Sequence, residues 1–328
     1  MKKVLKIVLG IFVLILLGIV TLVSYIQLTM PNVGAAPDIK IESTPELVKR
    51  GEYLANCVMV CMDCHSTRDW TKYSGPITPG TLGNGGETFN KELGFPGEFY
   101  SRNITPFGLK DWTDGEIFRA ITCGVSRDGH AFFPVMPYPS YGKLDSLDII
   151  AVIAYLRSLP SIEKQVPESK PAFPFSIILK TIPQKAQFTK KPDTSNVLAY
   201  GEYLANSANC IECHTQAEKG QIIRELAYSG GREFKMPDGS VLRTPNITPD
   251  EETGIGSWSQ QAFVARFKSY VDSNYHAPAV KPGEMQSIMP WTMYGNMTEQ
   301  DLKALYVYLK SLPAKKNPVV KFIPKAGA

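Results

Sequence analysis

Two short segments of this chain share one pattern: two cysteines separated by two residues and followed at once by a histidine. The segments are CMDCH at residues 61–65 and CIECH at residues 210–214. Each belongs to a longer repeat whose members keep the same order: GEYLAN at 51–56 and 201–206, NITP at 103–106 and 246–249, and YLRSLP or YLKSLP at 155–160 and 308–313. This order indicates a duplication, so we predict two copies of one domain, at residues 43–160 and 196–315.

Each copy is predicted to open and close on a helix. Thr44 is suited to cap the opening helix of the first copy, with Pro45 at its first position. Apolar residues recur every three or four positions in 149–156 and in 302–309, which is the period of a closing helix. The GNGG run at 83–86 lacks the strand–turn–helix context of a phosphate-binding loop, and we read it as plain loop. The predicted fold class is all-α.

The repeated cysteine–histidine pattern has a chemical reason. Two thiols a short turn apart can add to the two vinyl groups of one haem, and the following histidine is then carried beneath the macrocycle to bind iron. A redox dithiol would not need the histidine, and a zinc site would use both cysteine pairs. We therefore predict two covalently bound haem c groups. The predicted attachment and ligand residues are Cys61, Cys64 and His65 in the first copy and Cys210, Cys213 and His214 in the second.

Methionine is the predicted second iron ligand in both copies. Met136 and Met289 lie 71 and 75 residues after the histidine of their motif, and each precedes a proline and an aromatic residue. Methionine opposite histidine is an established cytochrome ligation, whereas most lone methionines fill a core. The remaining histidines, His130 and His276, are alternative ligands, and we read them as solvated loop residues.

Several repeated segments resemble a known family. They are NITPD at 246–250, TGIG at 253–256, MPW at 289–291 and YLKSLP at 308–313, with MPY at 136–138 in the first copy. These segments resemble the class I cytochrome c modules in the membrane-bound cytochrome subunit of alcohol, aldehyde and gluconate dehydrogenases. The resemblance covers nearly all of 45–315. Those subunits usually carry three haem modules, whereas this chain has two motifs.

The resemblance implies two tandem class I cytochrome c domains that carry electrons and are not an enzyme. It also implies that the loops at Asn103 and Asn246, with Trp112 and Trp258, line the haem edges; the alternative is that these are turn and core residues. The implied partners are a dehydrogenase or quinol-oxidising complex and a terminal acceptor. Two other interpretations stay open: a dihaem peroxidase, which needs one open iron position, and a fixed cytochrome subunit of a respiratory oxidase.

The first 30 residues are predicted to be a cytoplasmic stub and a transmembrane anchor. Three lysines, at positions 2, 3 and 6, precede 22 uncharged residues from Ile7 to Leu28, a length of about 33 Å as a helix. Lysines on the short side favour a cytoplasmic N-terminus, which puts the rest of the chain on the periplasmic side of the inner membrane. A cleaved signal peptide is the alternative, although its apolar region would be shorter.

Two further segments lie outside the two repeated copies. Residues 161–195 are predicted to be a proline-dotted linker, and residues 316–328 a basic tail. The apolar part of the linker, 175–182, is too short to cross a membrane, and we expect it to pack between the domains. The net charge of +4 is mild and gives no indication of a nucleic-acid partner.

Two cysteines lie outside the motifs. Cys57 and Cys123 both belong to the first copy. Two leftover thiols in an oxidising compartment suggest a disulfide between them. Two separate free thiols are the alternative, because spatial closeness cannot be read from the sequence.

Overall fold

The structure is a computed structural model that describes residues 1–325; residues 326–328, the end of the predicted basic tail, lie outside the described residues. A π-helical turn follows α2 at Leu54–Val58, and 3-10 turns lie at Leu179–Thr181 and Arg224–Leu226. The α-helices are α1 (Lys2–Thr29), α2 (Pro45–Tyr53), α3 (Cys61–Cys64), α4 (Pro106–Leu109), α5 (Asp114–Cys123), α6 (Tyr138–Tyr141), α7 (Ser146–Ser158), α8 (Phe175–Ile178), α9 (Val197–Ser207), α10 (Cys210–Cys213), α11 (Gln260–Lys268), α12 (Trp291–Tyr294) and α13 (Glu299–Ser311).

The prediction of an all-α fold is wrong, because 39% of the structure is helical and 9% is strand, in three small antiparallel sheets. The strands are β1 (Thr88–Phe89), β2 (Gly97–Tyr100), β3 (Lys170–Pro171), β4 (Ala217–Glu218), β5 (Gln221–Ile222), β6 (Glu233–Lys235), β7 (Val241–Arg243) and β8 (Phe322–Ile323). The sheets lie in the long segments between the helices, where backbone N–H and C=O groups still need partners. The linker contributes β3 and the predicted tail contributes β8, so both segments belong to the fold.

The N-terminal helix α1 is exposed along most of its length. It is 28 residues long, its mean hydropathy is 3.0 over the most apolar window, and none of its residues is buried. By length and composition it fits a membrane anchor or a signal sequence.

In each repeat the opening helix packs against the closing helix, α2 on α7 and α9 on α13. A Cβ added to Gly51 would overlap the carbonyl oxygen of Ala151, and one added to Gly201 would overlap that of Ala304. Glycine at these two positions therefore lets the helix backbones touch. The contact is the centre of the apolar core, which runs continuously through both repeats.

The two repeats bind each other through reciprocal hydrogen bonds. The Tyr203 hydroxyl of the second repeat donates to the carboxylate of Asp148 in the first, at 2.8 Å, and accepts the backbone N–H of Asp145. The same arrangement recurs with the repeats exchanged, between the Tyr53 hydroxyl, Asp301 and the Thr298 N–H. Equivalent residues thus face each other across a pseudo-two-fold interface.

The linker does not pack between the repeats as predicted. Helix α8 and the 3-10 turn after it contact the C-terminal end of α1, and the Lys180 ammonium donates to the Gln27 side-chain carbonyl at 2.6 Å. On its other side the Phe175 ring meets the Phe133 ring of the first repeat at 5.6 Å between centroids. The apolar part of the linker therefore joins α1 to the first repeat.

Candidate haem sites

Both cysteine–histidine motifs fold in the same way. Each is a single helical turn, α3 or α10, preceded by a residue in the left-handed region: Val60 at φ 46° and Asn209 at φ 53°. The backbone N–H of His65 donates to the Cys61 carbonyl at 3.0 Å, and the second motif repeats this bond at 2.9 Å. One turn of helix places the two thiols of a motif near each other, with the histidine at its C-terminal end.

A main-chain carbonyl orients each motif histidine. Nδ1 of His65 lies 2.7 Å from the Arg102 carbonyl oxygen, and Nδ1 of His214 lies 2.9 Å from that of Pro245. A carbonyl oxygen only accepts, so Nδ1 carries the proton and Nε2 keeps the lone pair that binds a metal. Burial lowers the pKa of both imidazoles, which favours this neutral form.

The repeated NITP loops supply these carbonyls, because Arg102 and Pro245 come directly before the asparagines. The side-chain carbonyl oxygen of Asn103 accepts from the backbone N–H and the hydroxyl of Thr105. The side-chain amide N–H groups of Asn103 donate to the main-chain carbonyls of Ile162 and Lys164. Asn246 makes the same two bonds to its own threonine and also donates to the Lys315 carbonyl. Both asparagines are buried and tie their loop to the chain beyond the closing helix. This geometry favours the turn-residue interpretation of the asparagines; a role for Trp112 and Trp258 at haem edges stays a prediction.

The methionine loops are also alike in the two repeats. The carbonyls of Met136 and Met289 each accept a backbone N–H at 2.8 Å from the aromatic residue two positions on, where α6 and α12 begin. Both side chains are half-buried and pack against the apolar core. The loops thus present one methionine each from equivalent positions.

A buried tyrosine connects the methionine side to the cysteine side of each site. The Tyr141 hydroxyl donates to the Met59 carbonyl at 3.0 Å, just before the first motif, and the Tyr294 hydroxyl donates to the Ala208 carbonyl at 3.1 Å, just before the second. Burial raises the pKa of both phenols well above the usual value, so both remain donors. The sequence analysis missed this pair, although the two tyrosines are separated by 153 residues, as the two methionines are.

The two sites meet at the interface between the repeats. Helix α6, which follows Met136, contacts α9 of the second repeat, and the Ser140 hydroxyl donates to the Asn209 side chain at 2.8 Å. Helix α12, which follows Met289, contacts the π-helical turn before the first motif. Each methionine loop therefore touches the chain that leads into the other repeat's motif.

The second methionine loop has an additional support from the first repeat. The Ser74 hydroxyl donates to the Met289 carbonyl and accepts the backbone N–H of Trp291 at 3.3 Å. The backbone N–H of Ser74 donates to the Gln286 side-chain carbonyl at 2.7 Å, and the Gln286 amide donates to the Lys72 carbonyl at 3.0 Å. Residues of the first repeat thus fix the conformation around Met289.

The alternative ligands and the alternative metal find no support. His130 is 79% exposed and pairs with Asp128 at 2.8 Å, and His276 is exposed as well. Within residues 1–325, no group of three or more His, Cys, Asp or Glu side chains is placed to hold a metal ion, as a zinc site would require.

The disulfide expected between Cys57 and Cys123 is wrong, because both cysteines are free thiols. Cys57 belongs to the π-helical turn that contacts α12 of the second repeat, whereas Cys123 ends α5, which packs on α6 and α7. Burial, and then the nearby Glu52 carboxylate, raises the pKa of the Cys57 thiol to about 11. The two thiols therefore serve different packing surfaces.

The residues present fit a covalently bound haem at each site. Each site offers two neighbouring thiols, an imidazole held with Nε2 free and a half-buried thioether, all against an apolar core. Thioether attachment with histidine and methionine as axial ligands requires this donor set.

Comparison with known proteins identifies similar cytochrome c sequences. Residues 198–313 match the cytochrome c family. The chain is 30% identical over 285 residues to the alcohol dehydrogenase (quinone) cytochrome c subunit of Gluconacetobacter polyoxogenes, which covers 81% of this chain and 56% of that one. It is 30% identical over 306 residues to the fructose dehydrogenase cytochrome subunit of Gluconobacter japonicus, with 87% and 57% covered. It is 26% identical over 263 residues to a dihaem c-type cytochrome of Cereibacter sphaeroides, with 77% and 82% covered. The chain thus spans little more than half the length of the two dehydrogenase subunits.

Proposed function

Because the chain carries a cytochrome c domain and its homologues are cytochrome c subunits of dehydrogenases, we propose that it is a membrane-anchored dihaem cytochrome c that transfers electrons. A cytochrome c domain implies covalently bound haem c. The observation that carries a count of two is the repeated geometry: both motifs have the same helical turn and the same carbonyl bond to the histidine. The 26% identical dihaem cytochrome also supports this count.

In this proposal the chain's own residues hold and insulate each haem. Cys61 and Cys64 attach one group and Cys210 and Cys213 the other, while the Arg102 and Pro245 carbonyls keep the motif histidines in the ligating tautomer. Bound haem supplies a one-electron iron couple, whose potential the ligands and burial adjust. The core against which the sites pack is apolar, and Tyr141 and Tyr294 are buried in it.

Whether the chain is an electron carrier or an enzyme depends on whether Met136 and Met289 bind iron. His65 and Met136 would hold one iron and His214 and Met289 the other, and iron held by two side chains would exchange electrons without binding a peroxide substrate. The equivalent main-chain bonds of the two loops support the same ligation in both repeats. We therefore propose an electron carrier and disfavour the dihaem peroxidase.

The location and the partners follow from α1 and from the homologues. We propose that α1 crosses the cell inner membrane once, with its lysine-bearing end in the cytoplasm and the repeats on the periplasmic side. The donor in this proposal is a dehydrogenase or a quinol-oxidising complex, since the homologues are subunits of dehydrogenases. Electrons then leave to a terminal acceptor, such as a respiratory oxidase.

The haem content tests the proposal directly. The full chain would be expressed with a c-type haem attachment system, purified from membranes and denatured in alkaline pyridine. We expect a c-type spectrum with two haems per chain that resist extraction by acid acetone. A Cys210→Ala/Cys213→Ala variant is expected to keep one haem, and a Cys57→Ala variant is the control that keeps two. One haem in the unaltered chain, or haem that extracts, would contradict the proposal.

A further inference from the structure

The outer end of α1 rests on an apolar part of the linker, residues 172–182, which we name the linker turn. Its α8 and 3-10 turn contact α1, and Lys180 holds the Gln27 side chain. Most of α1 is fully exposed, but Val23 and Ile26 are half-buried, and they are three residues apart on one helix face. The linker turn therefore covers a stripe near the end of α1.

The linker turn lies at the depth where a membrane would end. The uncharged stretch of α1 ends at Leu28, and Val23 lies about 7.5 Å below it at 1.5 Å per residue. The stretch itself is about as long as the hydrocarbon core is thick. If α1 is the anchor proposed above, side chains of the linker turn lie at the boundary between acyl chains and headgroups.

The side of the linker turn away from the protein is apolar and exposed. Phe173 is 82% exposed and Ile178 is 51% exposed, while Leu179 is buried and fixes the turn to the protein. A large aromatic and a branched aliphatic side chain in water are unfavourable, and both are typical of residues inserted into a bilayer surface.

Along the sequence, the charge in and around the linker turn is of one sign. Between Lys170 and Lys191 the chain carries five lysines and no acidic residue. Apolar side chains flanked by lysines bind anionic lipid surfaces, through burial of the apolar groups and attraction to the headgroups. An acidic protein partner would match the lysines, but it would not account for the position of the turn beside α1.

We propose that the linker turn is a second membrane contact, in which Phe173 and Ile178 insert into the surface of an anionic phospholipid bilayer beside α1. This inference rests on the proposed anchoring role of α1. Within the linker turn, the Phe175 ring packs against the ring of Phe133, which lies three residues before Met136. The contact thus holds the first repeat, with its Met136 loop, at a fixed orientation to the membrane.

Photochemical labelling by lipid tests the contact in the full chain. The purified protein would be reconstituted into vesicles of phosphatidylcholine and phosphatidylglycerol that contain a phospholipid with a diazirine in its acyl chain. After illumination, labelled peptides are mapped by mass spectrometry. We expect labels in α1 and in the linker turn, and a several-fold loss of linker-turn labelling in the Phe173→Ser/Ile178→Ser variant with unchanged labelling of α1.

A matched control is Leu147→Ser, since Leu147 is 66% exposed but lies on α7, outside the linker turn. This control is expected to leave all labelling unchanged. Labelled α1 with an unlabelled linker turn would overturn the inference and leave the anchor standing. An unlabelled α1 would overturn the proposed anchor itself. Equal labelling in vesicles of phosphatidylcholine alone would overturn the role of the lysines.

Discussion

The hydroxyl of Tyr53 in the first repeat donates a hydrogen bond of 2.5 Å to the carboxylate of Asp301 in the second. Tyr203 and Asp148 form the equivalent bond in the opposite direction, at 2.8 Å. Both carboxylates are buried, so a lost hydroxyl removes a hydrogen bond to a charged, desolvated acceptor. Asp148 then keeps only its ion pair with Arg50. These two bonds define the interface on which both candidate haem sites meet.

Removing either hydroxyl is expected to weaken the interface. We expect Tyr53→Phe and Tyr203→Phe each to lower the free energy of unfolding by about 1.5–3 kcal/mol, the range for hydrogen bonds to charged groups. Denaturant unfolding followed by circular dichroism measures this change. Tyr100→Phe is the matched control, because the Tyr100 hydroxyl donates to the Glu98 carboxylate on the surface, and it is expected to leave the unfolding midpoint unchanged. If all three variants lowered the free energy of unfolding equally, the two buried hydrogen bonds would contribute no more to stability than the one on the surface.

Met136→Leu and Met289→Leu are each expected to remove the sulfur-to-iron charge-transfer band of one haem. The reduction potential of the same haem should fall, because the thioether that favours ferrous iron is gone. Visible spectra and redox titrations measure both effects. The control is Met285→Leu, an exposed methionine four residues before Met289, which is expected to behave as the unaltered chain. Loss of the band in the Met285→Leu control would identify Met285, in place of Met289, as the iron ligand of the second repeat.

Resting protein is expected to contain low-spin iron and to turn over hydrogen peroxide negligibly. The physical reason is that both axial positions are filled from the chain in the proposed ligation. Peroxidase assays and the spin-state bands of the ferric spectrum check this. The Met136→Leu and Met289→Leu variants serve as positive controls, since each opens one iron position. Substantial activity in the unaltered chain would favour the peroxidase interpretation.

Cys57 and Cys123 are expected to react with iodoacetamide in unfolded, unreduced protein, because both are free thiols. In folded protein Cys57 should react slowly. A pKa raised from 9.0 to about 11 leaves roughly 90-fold less thiolate at pH 8 than an unshifted cysteine has, so the rate should rise with pH up to about 11. Mass mapping of labelled peptides measures both rates. If Cys57 and Cys123 are labelled only after reduction, the two cysteines form the disulfide after all.

Ser74→Gly is expected to alter the Met289 site from within the first repeat. It removes the hydroxyl that Met289 and Trp291 share, and glycine tolerates the φ of 66° at this position. We expect a loss of about 1–3 kcal/mol in unfolding free energy and a weaker charge-transfer band of the second haem only. Ser269→Gly, whose hydroxyl bonds only the Arg266 carbonyl on the surface, is the control. A change confined to the first haem would contradict the assignment.

Features that depend on neighbouring residues were predictable from the sequence. The Thr44 hydroxyl caps α2 by accepting the Leu47 N–H at 3.2 Å, and the Thr298 hydroxyl caps α13 by accepting the Asp301 N–H at 3.1 Å. These rules act within a few residues or within one copy.

Features that depend on distant pairing were not predictable. Strand β3 pairs with β2 from the linker, and β8 pairs with β7 from the tail, with too few residues in each strand to show a period. The Tyr53–Asp301 bond spans 248 residues. The repeat identified equivalent residues, but it carried no information about which surfaces of the two copies meet.

The bond from Ser74 to the Met289 loop has a consequence for the history of the duplication. Two copies of one gene segment begin as interchangeable parts, and either one can be lost or replaced without harm to the other. Once a residue of the older or younger copy completes the site of its sibling, that freedom ends. In this chain the second half relies on Ser74 and the Lys72 carbonyl, both of which the first half supplies. Transplanting the second half alone into another protein would therefore deliver an incomplete module. The two repeats now depend on each other and must be kept together.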